Sequence, residues 1–329
     1  MRIAFINPMG QIPTPNGRID LCPRTIESFP LAKILREMFP HAEILLGHDK
    51  SLKHDLFICL WKPNCPPPYG SDCLNLEGKL IAFNQESCDP LSMVAADGYI
   101  GFDKRPEADP DLGRNGVGTL MVRWPLYAMY HLMYMDQYDC GSFLELRRRF
   151  QSTKINKIAA LLTNGSGYNA PRSHFLGHLV GIGLCDSGGL CYNNMEDRRL
   201  VSNKLNFISK YDMTFCLENT SVPHYITEKI YEGFVAGSVP IYWGASNISA
   251  HFNPETYVEC DLTNKETVQM SVDKIVRVLK DATELKRMQS INPIEGFEAE
   301  KYILNGKQIF KDFVTEVMDQ NENHRICSI

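Results

Sequence analysis

The stretch from Phe215 to Gly244, FCLENTSVPHYITEKIYEGFVAGSVPIYWG, constrains the fold more than any other. Met213 to Leu217 is a buried-strand run that ends on the polar pair Glu218 and Asn219. From Ile226 to Val235 the apolar residues Ile226, Ile230 and Phe234 recur at every fourth position, which puts one apolar face on a helix. Thr227 is a candidate N-cap and Gly237 a helix stop. The β-branched and aromatic run Val239 to Trp243 follows as the next strand. A strand, a helix and a strand at this spacing form a βαβ unit, so a parallel sheet is expected.

Polar residues sit at the joints of this unit, where α/β proteins bind nucleotides. Glu228 and Lys229 fall in the first helical turn. A glutamate suits the partial positive charge of a helix N-terminus, and a lysine is repelled by it. An anion docked at that end accounts for Lys229, because backbone N–H groups and the ammonium would share its charge, and a diphosphate has the required shape. On this one residue alone, a lysine that simply extends into solvent is the better account, and the rest of the segment reverses that balance.

The ordered set Glu218, Asn219, Tyr225, Ile226, Thr227, Glu228, Lys229, Val239, Pro240 and Gly244 resembles the donor-binding signature of the α-1,3/α-1,4-fucosyltransferases, glycosyltransferase family 10. Three other stretches share the resemblance. FNQESCDP at Phe83 to Pro90 is similar to the acceptor-side Glu-Ser-Pro motif, with Glu86 and Ser87 kept and Cys88 in place of proline. YIGFD at Tyr99 to Asp103, with Arg123, Trp124 and Pro125, is similar to a strand and loop that lead into a Pro-Leu-Tyr helix. NAPR at Asn169 to Arg172 is similar to the Asn-Ala-x-x-Arg loop of the donor half. The resemblance covers roughly residues 80 to 265.

A chain of 329 residues exceeds what one core usually holds, and a hydrophobic content of 44% is enough for two. Net charge is −5, with no basic stripe or interleaved aromatics, which argues against nucleic acid as a partner. The eleven cysteines are an odd number without a CxxC pair, so free thiols are the simpler reading. Cys185 and Cys191 with His174 and His178 lack zinc-ligand spacing, and no metal site is expected there. No apolar run reaches membrane-spanning length and the chain opens directly on a strand. A soluble, cytoplasmic protein is therefore expected, with at most peripheral contact at the inner face of the membrane. Animal members of the resembled family begin with an anchor and a stem, so this chain looks like the bacterial form, without the heptad tail of some relatives.

Strands are expected at Ile3–Asn7, Glu43–Leu46, Leu56–Leu60, Lys79–Asn84 and Gly98–Phe102, with a helix from Arg24 to Met38. Lys62 to Gly70 is expected to be a loop. Pro125 to Phe150 is expected to be helical with a break near Tyr138 to Gly141. The second half repeats the alternation, with a strand at Ile158–Thr163, a helix from about Arg172 to Leu184 and a glycine-rich loop from Gly181 to Leu190. A short helix near Lys204–Lys210 and a terminal helix at Gln308–Met318 complete the pattern. This alternation predicts an α/β protein, and the resemblance implies the GT-B class, two facing Rossmann-like domains with parallel sheets. The expected division is 1–153, an acceptor-binding domain, and 154–329, a domain for the GDP-sugar donor whose last helix may be shared with the first. GIGLCDSGG at Gly181 to Gly189 ends a helix instead of opening one, so a dehydrogenase is rejected.

The resemblance implies inverting transfer of L-fucose from GDP-fucose to a hydroxyl of N-acetylglucosamine or glucose in an oligosaccharide or a lipid-linked glycan such as lipopolysaccharide, α-1,3 or α-1,4. Such transfer needs a base for the acceptor hydroxyl and positive charge on the departing diphosphate. Glu86 is the candidate base, and proline's absence at Cys88 leaves its loop without a fixed φ. Arg172 and Lys229 are the phosphate candidates, one bidentate and one a mobile point charge. Glu228 and Glu218 could accept hydrogen bonds from sugar or ribose hydroxyls, and Asn169, Asn219, Tyr225 and Thr227 complete the donor set. Without a convincing DxD loop no metal is obligatory, and a divalent ion would at most stimulate. The alternatives are a GT-B transferase for another GDP-deoxysugar, or a non-catalytic protein that binds a nucleotide sugar or glycan.

Overall fold

The computed structural model describes residues 1–6, 11–14, 17–20, 26, 29–47, 52–61, 77–84, 96–101, 112–114, 120–165, 170–196, 201 and 203–320. The chain forms two compact units, Met1–Met133 with Leu304–Ile329, and Tyr134–Ile303. The division falls before the position read from the sequence, because the helices that follow Tyr134 pack with the second unit.

The first unit contains strands β1 (Arg2–Ile6), β2 (Gln11–Thr14) and β3 (Gly17–Asp20), helix α1 (Pro30–Met38), and strands β4 (Glu43–Leu46), β5 (Leu56–Trp61), β6 (Lys79–Asn84), β7 (Gly98–Gly101), β8 (Leu112–Arg114) and β9 (Leu120–Arg123). Helix α2 (Leu126–Tyr138) leads out of it. Seven strands pair in the order β4-β1-β5-β6-β7-β9-β8, all parallel except the β8 edge, and β2 and β3 form a separate antiparallel pair. Ile3, Ala4, Phe5, Leu56, Ile58 and Ile81 are fully buried. Consecutive apolar residues occur because a parallel sheet is covered on both faces. Of the helix expected from Arg24 to Met38, Arg24, Thr25, Glu27 and Ser28 lie outside the described residues, Ile26 is helical, and α1 has its N-cap at Phe29, whose backbone is extended. Pro30 is the reason: proline disfavours the α-region in the residue before it and is suited to the first helical position.

The second unit contains α3 (Phe143–Arg149), β10 (Ile155–Ala160), α4 (Ala170–Gly181), β11 (Cys185–Ser187), α5 (Lys204–Ile208), β12 (Tyr211–Leu217), α6 (Glu228–Val235), β13 (Val239–Trp243), α7 (Ile248–His251), β14 (Val258–Glu259), α8 (Lys265–Lys280) and α9 (Ala282–Ser290). Its sheet is wholly parallel in the order β11-β10-β12-β13-β14. Strand β11 lies inside the segment expected to be a glycine-rich loop. Its three residues carry no β-branched side chain, and its pairing with β10 makes it a strand. Asn194 completes its other edge, accepting from Ser187 N–H at 2.7 Å and donating to Cys185 O at 3.0 Å. A Cβ at Gly189 would stand 2.5 Å from the Leu162 backbone, so glycine here serves close approach of two chains.

Helix α10 (Glu298–Asp319) starts well before the expected Gln308, and from Leu304 onward it belongs to the first unit. Gly98 on β7 receives it: a Cβ there would lie 2.6 Å from Val317 Cγ2 and 2.8 Å from Phe313. Trp124 packs against Phe83 and Phe310 with ring centroids at 6.0 and 5.5 Å, and its Nε1 donates to Gly306 O at 2.9 Å. Lys307 and Lys311 both reach Glu37 on α1, at 2.6 and 2.9 Å. Among the described residues no helix is long and apolar enough to cross a membrane. Among the described residues Cys140, Cys185, Cys191, Cys216 and Cys260 are free thiols.

Burial and exposure predict different costs at these two contacts. Trp124→Ala removes a buried aromatic and a satisfied donor and should cost about 3–5 kcal/mol in denaturant unfolding. Glu37→Ala breaks an exposed pair and should cost less than about 1 kcal/mol.

Candidate functional site

The candidate site is built on a buried carboxylate where β12 ends. Glu218 N–H donates to Trp243 O at 2.7 Å, which carries the sheet ladder one residue past Leu217. The Glu218 side chain is 0% exposed, and burying a charge is costly unless it is paired and hydrogen-bonded. Oε1 accepts the Thr227 backbone N–H at 2.8 Å, and the Thr227 hydroxyl lies 2.9 and 2.7 Å from Oε1 and Oε2. Lys229 Nζ donates to Oε2 at 2.8 Å and to Thr227 Oγ1 at 2.7 Å. Gly244 makes room for this carboxylate, since a Cβ there would stand 2.6 Å from Glu218 Cγ and 2.6 Å from the Tyr242 hydroxyl. Ser221 Oγ donates to Gly244 O at 2.8 Å and pins the intervening loop.

These contacts alter two of the expected roles. Both Glu218 oxygens are engaged by Thr227 and Lys229, so this residue orders the loop and holds the lysine instead of presenting a free acceptor. Thr227 occupies the N-cap position of α6, but its side chain makes no capping bond, because the hydroxyl is turned onto Glu218. The helix begins at Glu228, directly after the N-cap position expected at Thr227, and Ile226 is fully buried just before it.

Lys229 and Arg172 meet at this corner by different routes. The Lys229 side chain is 21% exposed. Burial works against its ammonium, but Glu218 and Glu228 outweigh that and raise its pKa, with Arg172 opposing them. Arg172 stands in the first turn of α4 and is buried. Its Nη1 donates to Leu217 O at 3.2 Å and its Nη2 to Asn164 O at 3.1 Å, so the guanidinium spans the segments leaving β12 and β10. Among the described residues Nε is buried with no acceptor. Burial lowers the pKa of this guanidinium, against the pull of Glu218 and Tyr225. Such an unmet donor costs free energy until an acceptor arrives.

Glu228 faces Lys204 Nζ at 3.6 Å. Burial raises its carboxyl pKa, but Lys229, Lys204 and its own backbone N–H outweigh burial and hold it at about 2. Lys204 also pairs with Glu232, whose Oε1 accepts from the Tyr134 hydroxyl at 2.5 Å. Burial pushes the Glu232 carboxyl up to about 7 against the pull of Lys204. Sequence reasoning missed Lys204, Glu232 and Tyr134. The available signal was Glu232 itself, an acid one helical turn from Glu228 amid apolar residues, which calls for a buried cation. Tyr225 is buried and Asn219 half-buried in the same loop. Glu86 and Asn169 lie outside the described residues.

A charged cluster of this kind at the carboxyl ends of parallel strands is where Rossmann-like α/β proteins receive nucleotides. Two such parallel-sheet units in one chain define the GT-B class of glycosyltransferase folds. The model of the family described as "Glycosyltransferase family 10 (fucosyltransferase) C-term" matches residues 152–288. The chain is similar to the alpha-(1,3)-fucosyltransferase FucT of Helicobacter pylori, 30% identical over 154 residues, which are 46% of this chain and 31% of that protein. It is also similar to an alpha-(1,4)-fucosyltransferase of Arabidopsis thaliana, 40% identical over 52 residues, 16% of this chain and 13% of that one. The matched stretch thus spans about a third of the Helicobacter relative. A crystal structure of an alpha1,3-fucosyltransferase with GDP-fucose has the same fold, with a TM-score of 0.68 at 19% identity, covering 99% of this chain and 92% of that one. The Glu218–Lys229 corner lies within the stretch that the family model matches, and the likeness to the solved structure extends the shared fold to the rest of the chain.

Two predictions test this corner. Gly244→Ala forces Glu218 or Tyr242 to move and should cost about 1–3 kcal/mol in thermal or denaturant unfolding. The Glu228 carboxyl lies below its ordinary 4.5 in the folded protein, so its contribution is full above about pH 4.5 and is lost as pH falls through about 2. Glu228→Gln should therefore lower stability at pH 7 by about 3 kcal/mol at most and flatten the acid limb of the stability–pH curve.

Proposed function

We propose that this protein transfers L-fucose from GDP-fucose to a hydroxyl of an N-acetylglucosamine or glucose unit of a glycan, with inversion at the anomeric carbon and α-1,3 linkage as the primary product. The observation that carries this reading is the Arg172–Lys229 pair in the family domain, one cation with an unmet buried donor and the other held on a displaceable ion pair. The donor is carried over from the likeness to the alpha1,3-fucosyltransferase solved with GDP-fucose.

In this reading the diphosphate takes up Arg172 Nε and competes with Glu218 for Lys229. The lysine is the partner that moves, because it is partly exposed and Glu218 is not. The Glu86 carboxylate accepts the acceptor hydroxyl proton as that oxygen bonds to the anomeric carbon. The bond from the anomeric carbon to phosphate oxygen breaks on the opposite side, and its electron pair leaves with GDP. Lys229 and Arg172 meet the charge that develops there, so the diphosphate needs no obligatory metal. Glu218 and Thr227 position Lys229, while Glu228, Asn219, Tyr225 and Asn169 shape the donor pocket. The first half of the chain supplies the acceptor side.

The test is release of fucose and GDP from GDP-fucose beside GDP-mannose and UDP-galactose, with and without N-acetyllactosamine. Turnover confined to GDP-fucose and stimulated by acceptor is expected. Lys229→Ala and Arg172→Ala should each lower kcat by about 100-fold or more, and Glu86→Gln should abolish turnover while GDP still binds. Turnover with another GDP-sugar alone would reassign the donor. GDP binding with no transfer from any donor would leave a binding protein.

A further inference from the structure

A second cluster of side chains lies on the loop between β12 and α6, with chemistry unrelated to a nucleotide. His224 sits there at φ +63°, in the left-handed region that few side chains adopt. Asn247 fixes it: the His224 backbone N–H donates to Asn247 Oδ1 at 2.8 Å, and Asn247 Nδ2 lies 2.7 Å from His224 Nδ1. His251, the last residue of α7, is fully buried and brings its Nε2 to 3.5 Å from His224 Nδ1. The same Nε2 lies 3.2 Å from Oε2 of Glu298, the first residue of α10, whose side chain is 43% exposed. The three donor atoms all fall within 4.8 Å of one another.

We propose that His224, His251 and Glu298 bind one zinc-class divalent cation. Around four-coordinate zinc with bonds of about 2.0–2.1 Å, neighbouring ligand atoms stand about 3.3–3.4 Å apart. The 3.2 and 3.5 Å separations at His251 Nε2 match that spacing, and the third pair, His224 with Glu298, lies within 4.8 Å and shortens when the ion binds. Two imidazoles and one carboxylate suit Zn²⁺, Co²⁺ or Ni²⁺, and Mg²⁺ or Ca²⁺ would ask for more oxygen. Three protein ligands leave a fourth position, which water reaches past the partly exposed Glu298.

A hydrogen bond between His251 and Glu298 explains one of the two contacts at Nε2. The other is His224 Nδ1 at 3.5 Å, a nitrogen that the Asn247 amide holds in place at 2.7 Å. The cation replaces the proton shared by His251 and Glu298, which is released to solvent, and draws His224 Nδ1 away from the Asn247 amide. Bound there, it ties three otherwise separate pieces together, the loop that leads to Thr227 and Lys229, the end of α7 and the start of α10. The proposal stands whether or not GDP-fucose is the donor.

The test uses the full chain freed of metal by chelation, with Zn²⁺ uptake read by equilibrium dialysis and Co²⁺ by visible absorption. His224→Gly keeps the fold accessible, because glycine accepts positive φ, and Glu298→Gln changes only an exposed carboxylate. The wild type should take up one zinc per chain, show the visible bands of four-coordinate cobalt without a thiolate charge-transfer band, and gain Tm with Zn²⁺. Each variant should bind at least about tenfold more weakly, the loss that even an outer-sphere change can cause, and should lose the Tm gain. No zinc uptake by the wild type, uptake undiminished in both variants, or a thiolate band showing that cysteines hold the metal would each overturn the proposal.

Discussion

The burial of the Glu218 carboxylate at the end of β12 is the constraint on which the rest of the candidate site depends. An ion taken out of water must be repaid by close partners, and here they are the Thr227 N–H, the Thr227 hydroxyl and the Lys229 ammonium. Each partner dictates something else. The Thr227 contact gives up its own capping bond, so α6 starts where it does. The Lys229 contact places a cation in a first helical turn, where the backbone alone would repel it. Gly244 follows from the same demand, because the space its side chain would fill belongs to Glu218.

That corner is one end of a longer charged network. Arg172, Lys204 and Lys229 alternate with Glu218, Glu228 and Glu232 across α4, α5, α6 and the end of β12. Balance of three basic and three acidic groups lets so much charge gather at a site where only Lys204, Lys229 and Glu228 keep partial exposure. Within it Lys229 is the partly exposed partner of a fully buried Glu218, and among the described residues Arg172 Nε has no acceptor. A parallel sheet favours this arrangement, since all its strands end on the same side and their outgoing loops converge. Arg172 uses that convergence directly by donating to carbonyls that follow both β10 and β12.

The features legible from the sequence were those set by neighbours in the chain. The β12–α6–β13 unit followed from apolar spacing, from Gly237, which stands at φ +66°, and from the β-branched run that ends at Trp243. Features set by distant partners were not legible. Strand β11 exists because Cys185 to Ser187 lie in register with β10 and are closed off by Asn194, and no local propensity announces either. At α1 the chain before Phe29 lies outside the described residues apart from the helical Ile26, and Pro30 sets the extended backbone of Phe29. The division of the chain was misplaced because α2 is one continuous helix whose first part belongs to one core and whose last residues belong to the other.

Sequence by itself determined that the chain is α/β, that its second half carries a βαβ unit with a cation in the first helical turn, and which residue types gather at that turn. These follow from periodicity and helix-end electrostatics, which act over a few residues. Only the tertiary structure decided what those residues do. It turned Glu218 from an acceptor on offer into a buried anchor and Thr227 from a cap into a ligand of that anchor. It also brought Lys204 and Tyr134 to Glu232 and His251 and Glu298 to His224. The physical reason is that the cost of burying a charge is set by whichever groups the fold brings within about 3 Å, and sequence distance carries no information about them.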